Sequence, residues 1–145
     1  MLKALAMACG LGCAVLGCSS SSIQACGTIS GSYTDSVVVS SQSAPSCVLP
    51  GAPSGAVTIT GAGPDHDVTL PSIQGSCPAT SSGCSLDVHC NINITGPSGA
   101  PAGSAQLTAS WGFSSTGFTG QSTLVLQKSD GSTCTWDLAD TGAKD

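Results

Sequence analysis

The clearest order in this chain is a two-residue alternation of apolar and polar side chains. From Ser85 to Thr95, Leu86, Val88, Cys90, Ile92 and Ile94 share one parity, and Asp87, His89, Asn91 and Asn93 share the other. Successive side chains of an extended strand point to opposite faces, so the pattern predicts a strand with one buried and one wet face. Ser104 to Phe113 repeats it: Ala105, Leu107, Ala109, Trp111 and Phe113 fall on one side, Gln106, Thr108 and Ser110 on the other. In Phe118 to Gln127, Phe118, Gly120, Ser122, Leu124 and Leu126 are in phase. Near the end, Cys134, Trp136 and Leu138 alternate with Thr135 and Asp137. The intervening Ser129-Asp130-Gly131-Ser132 carries the Asp-Gly signal of a tight hairpin.

Earlier segments carry a weaker version. Thr28 to Ser41 alternates through Ile29, Gly31 and Tyr33, then Val37 and Val39, with Asp35-Ser36 read as a bend or bulge. Val57 to Thr60 and Val68 to Leu70 read as short strands joined by a Gly61–Asp67 loop, and Pro/Gly-rich connectors fall at 45–55 and 96–103. Gly and Pro interrupt every candidate helical period. The expectation is an all-β domain over residues 26–140 with a C-terminal tail at 141–145. About seven strands with hairpin-length connectors suit an antiparallel sandwich or a small meandering β-barrel.

Composition changes this picture in one respect. Tyr33, Trp111, Phe113, Phe118 and Trp136 are the whole aromatic set, so the core is thin and covalent staples would help it. Charge excludes more. There is no Arg and no Glu, and beyond residue 17 two Lys face eight Asp, a formal balance of −6. Neither a phosphate-binding face nor a polybasic membrane patch can be assembled from that, so nucleic acid is not an expected partner.

The N-terminus reads as an export signal. Lys3 supplies the basic start and Ala4 to Leu16 an apolar run of 13 residues, too short to span a bilayer as a helix. The run ends in Val15-Leu16-Gly17-Cys18, which resembles the lipobox of bacterial lipoproteins. The resemblance implies removal of residues 1–17, a diacylglycerol on the Cys18 thiol and acylation of the new amino group. Gly17 fits the position before the cut; Leu16 is bulkier than the small residue usual there. Residues 18–25 then form the lipidated Cys and a flexible tether. Two or more acyl chains hold a protein stably on a membrane where one does not. Ser19 lacks the Asp that favours inner-membrane retention in well-known Gram-negative systems, so the resemblance implies the outer membrane.

Of nine cysteines, Cys9 and Cys13 would leave with the signal and Cys18 would carry lipid. The remaining six, Cys26, Cys47, Cys77, Cys84, Cys90 and Cys134, form an even set in an exported domain, which argues for disulfides. Connectivity does not follow from sequence. The trial pairing is Cys77 with Cys84 across a Pro/Ser/Thr/Gly loop, Cys90 with Cys134 between strands, and Cys26 with Cys47. The Cys spacing lacks the close pairs of familiar zinc sites.

Cys26-Gly27-Thr28 leading into a strand, and Ser132-Thr133-Cys134-Thr135-Trp136 at the end, also resemble small Ser/Thr/Gly-rich lipoproteins of Gram-negative bacteria. That class implies no particular activity. No Gly-x-Ser-x-Gly elbow, P-loop or dinucleotide fingerprint occurs, so neither an enzyme nor a cofactor is expected. Asp65-His66-Asp67 and the same-face pair Asp87 and His89 are the metal-capable groups; a wet loop and a wet strand face are the simpler readings, and no metal is expected. Trp111, Phe113, Phe118 and Trp136 read as core rather than as a pocket lining. The expected role is a non-catalytic structural or interaction module on the cell envelope. The alternatives are a lipocalin-like barrel for a small apolar ligand, and a hydrolase without a recognisable motif.

Overall fold

The computed structural model describes residues 26–49, 54–70, 75–95 and 101–145; the export signal, Cys18 and the tether lie outside the described residues. Eight strands follow one another: β1 (Gly31–Gln42), β2 (Gly55–Ala62), β3 (Asp65–Thr69), β4 (Cys77–Ser82), β5 (Ser85–Thr95), β6 (Pro101–Phe113), β7 (Gly117–Lys128) and β8 (Thr133–Lys144). Each pairs antiparallel with its neighbours, and β1 pairs with β8, so the sheet closes into an up-and-down barrel. No helix occurs among the described residues.

Alternation drives this closure. The inward parity of β5 and β6 buries Leu86, Val88 and Cys90 and then Leu107, Ala109, Trp111 and Phe113, whereas Asp87, His89, Thr108 and Ser110 face out. A membrane-spanning barrel reverses that order, apolar outside and polar inside. The interior splits into two apolar clusters. The larger gathers Tyr33, Val57, Ile59, Val68, Leu86, Val88, Trp111, Phe113 and Phe118. The smaller gathers Val37, Cys47, Cys134, Trp136 and Leu138. It lies where the long strands outrun the short ones: β1 is 12 residues and β8 12, but β3 only 5 and β4 only 6. The segment after β1 folds over this end, and Trp136 Nε1 donates to the Cys47 carbonyl at 2.9 Å.

Three sequence expectations change. The strand count is eight, because Cys77–Ser82 is a strand and not a loop. Its Ser/Thr/Pro content resembles a turn, yet Cys77 and Ala79 face the core while Pro78 lies opposite Asp67. The tail at 141–145 is mostly strand, since β8 runs to Lys144 and pairs with both β7 and β1. Asp35-Ser36 is regular strand, and the bulge of β1 falls between Val39 and Ser41. The hairpin at Asp130-Gly131 is as expected, with Gly131 at φ 82° and Lys128 N–H donating to Ser132 O at 2.9 Å.

All six cysteines are bridged, but none of the trial pairs forms. The bridges are Cys26–Cys84, Cys47–Cys134 and Cys77–Cys90, with Cα separations of 5.2, 5.5 and 5.0 Å. Those spans are ordinary for disulfides. The physical reason is register. Ala79 lies opposite Val88, so two residues on Cys77 faces Cys90 across the β4–β5 pair. Cys84 in the β4–β5 turn is thereby left to meet Cys26 at the chain's entry, and Cys134 on β8 meets the loop holding Cys47.

Candidate functional site

Taken from the residues upward, the metal-capable groups separate. Asp65-His66-Asp67 lies in β3, so alternation turns His66 inward and both Asp outward. Asp87 and His89 stay together on the outer face of β5. Opposite Asp87 stands Ser110, then Gln121; opposite His89 stand Thr108, then Thr123. These six side chains line a shallow, open depression. Among the described residues no group of three His, Cys, Asp or Glu is placed to hold a metal.

His66 is buried and within 3.1 Å of a serine hydroxyl, Nε2 to Ser81 Oγ. That is nucleophile–base distance, but the dyad is incomplete. Ser81 Oγ donates to the Gly63 carbonyl at 3.1 Å. When Ser81 donates there, the imidazole Nε2–H donates to Ser81; in the other tautomer Nε2 accepts from the Ser81 hydroxyl. His66 Nδ1 is buried with no partner, where a triad would place an orienting carboxylate.

The more unusual chemistry lies inside the barrel, between the two apolar clusters. Asp35, Ser122 and Asp140 are all buried, at 5%, 6% and 3% exposure. Asp140 is well served: its Oδ2 accepts from Trp111 Nε1 at 2.9 Å and its Oδ1 from Ser122 Oγ at 3.2 Å. Asp35 is not, because its Oδ1 is buried with no partner. Desolvation pushes the Asp35 carboxyl up, and the neighbouring Asp140 charge pushes it further, to about 6. Backbone N–H groups of Ser36 and Thr141 oppose this and are outweighed.

Aromatic packing fixes the layer from one side. Trp111 stacks on Phe118 with ring centroids 4.5 Å apart, and Tyr33 meets Phe118 edge-on at 5.4 Å. The Tyr33 hydroxyl donates to the carbonyl of Ile29 at 2.7 Å, away from the carboxyls. The four aromatics read as core are buried, as expected.

Sequence reading put Asp35 at a bend or bulge and gave Asp140 no role, and so missed this layer. The signal was present: Asp140 continues the inward parity of Cys134, Trp136 and Leu138, and Asp35 lies between Tyr33 and Val37 in phase. Comparison of the chain with known protein families, with curated proteins and with solved structures returned no match.

Proposed function

We propose that this chain is a lipoprotein anchored to the outer membrane through Cys18, and that its barrel is a non-catalytic structural or interaction module of the cell envelope. The observation that carries the reading is the use of cysteine. Six are consumed by three bridges, so Cys18 is the sole cysteine outside the domain that the proposed cut would retain. The filled interior favours a module over a ligand carrier, because the stacked rings of Trp111 and Phe118 occupy the space an apolar ligand would need.

Orientation follows from this reading. Cys26 is tied to Cys84, next to the turn at Ser114 and the C-terminal Lys144, whose N–H donates to Thr116 O. A tether of residues 19–25 reaches at most about 25 Å, so this end lies toward the bilayer. The Cys47 loop, with Val48 at 74% exposure, lies at the other end and is offered to a partner.

The test is the intact mass of the protein extracted from membranes with detergent, before and after reduction. The expected mass is that of residues 18–145 plus acyl chains, with six hydrogens gained on reduction. An unacylated chain overturns the anchor.

The His66–Ser81 contact favours a second reading, a hydrolase. Labelling of Ser81 by a fluorophosphonate probe would support it; an unlabelled protein retires it.

A further inference from the structure

We infer that Asp35 keeps its proton inside the barrel, buried beside Asp140, so that the seam closing the barrel is tighter in acid than in alkali. The argument begins with register. Val37 lies opposite Asp140, and Asp35 opposite Gly142. The two carboxyls are thus diagonal neighbours on the inner face of the β1–β8 pair.

Their surroundings assign the proton. Both oxygens of Asp140 are already occupied, accepting from Trp111 and Ser122. Asp35 carries a buried oxygen with no hydrogen-bond partner, where a negative charge would go unsolvated. Two unshared charges here would be costly, since buried ions need partners. Beyond the backbone N–H groups of Ser36 and Thr141, the groups around Asp35 offer no countercharge. β1 contributes Tyr33, β2 Gly55 and Val57, β6 Trp111, and β7 Phe118 and Ser122. The far wall of β3, β4 and β5 contributes Val68, Ala79 and Val88, with His66 at the other end of its strand. His66 lies opposite Gly61, six residues along β2 from the partner of Asp35, or about 20 Å. Of the lysines in the described residues, Lys128 is exposed and Lys144 binds the Thr28 carbonyl. Among the described residues Asp140 and Tyr33 are therefore the titratable neighbours, and the Tyr33 hydroxyl points away.

The site sits where closure is most exposed to it. Beyond Asp35, β1 has no further β2 partners among the described residues, and Ser36–Gln42 run along β8. An unfolded Asp loses its proton near 3.8, whereas folded Asp35 keeps it to about 6. The folded state therefore binds more protons between those values. Stability from this group is complete below pH 3.8, falls as pH rises through 6, and is level above.

The test is a carbon-13 carboxyl titration of the oxidised protein, with melting curves from pH 4 to 8 for the wild type and Asp35→Asn. The expected result is an assigned Asp35 resonance with a midpoint near 6, a wild-type Tm that falls across this range, and a flat, higher Tm for Asp35→Asn at pH 8. An Asp35 midpoint at or below 4 overturns the retained proton, and so does an unchanged pH slope in the variant. If Asp35→Asn does not fold, the wild-type titration decides alone.

Discussion

Trp111 on β6 hydrogen-bonds Asp140 on β8, two strands away, because Gly120 on β7 lies between them and carries no side chain. The register runs Trp111 opposite Gly120 and Gly120 opposite Asp140, and the indole Nε1 donates to Oδ2 at 2.9 Å. A Cβ at Gly120 would collide with the Ser110 carbonyl oxygen and sit 2.7 Å from Trp111 Cδ1 and 2.9 Å from its Cα. Gly120→Ala should therefore displace the indole and destabilise the fold by about 1–3 kcal/mol through overpacking. Trp111→Phe keeps a ring but leaves Asp140 Oδ2 unpaired, at a cost of about 1–3 kcal/mol. Because both changes strike one interaction, urea denaturation of the double variant should show less than the sum of the two losses.

A second glycine supports the neighbouring ring. Phe118 lies opposite Gly142, and its ring occupies the place a Cβ there would take. Gly142→Ala should push Phe118 off its stack with Trp111. The expected readout is a weakened near-ultraviolet circular dichroism of tryptophan with the far-ultraviolet strand signal retained. An unaltered near-ultraviolet spectrum would show that the ring has room to move.

The three bridges should contribute unequally. Cys47–Cys134 spans 87 residues of chain and Cys77–Cys90 only 13. In the chain-entropy account the first constrains the unfolded state by about 4–5 kcal/mol and the second by about 3 kcal/mol. Guanidinium denaturation of Cys47→Ala/Cys134→Ala should thus show the larger loss, because that bridge also holds the loop whose carbonyl receives Trp136 Nε1–H.

Tyr33 is the single tyrosine, so phenolate absorbance reports it alone. Burial raises its pKa above the ordinary value of 10. Absorbance at alkaline pH should appear later in folded protein than in protein unfolded by guanidinium. The folded state keeps a proton that the unfolded state has lost, so stability from this group holds below pH 10 and falls as pH rises through the folded value.

Much of the architecture was legible before any coordinates. Period-2 alternation identified β5, β6 and β7 closely and the core of β8, and cysteine parity identified the six bridged residues. These are local properties: a strand's two faces and an even number of thiols are written in adjacent residues. What alternation does not contain is which strand lies beside which. Sandwich and barrel share the same inward parity, and only the pairing of β1 with β8, about a hundred residues apart, closes the sheet. The bridges follow the same logic, since Cys77 meets Cys90 through register and not through nearness in sequence. The buried carboxyls show it most plainly. Asp35 and Asp140 are ordinary solvated residues in a one-dimensional reading, because Asp is seldom buried. Closing the seam sets them side by side in a space that excludes water, and the low dielectric there decides their chemistry.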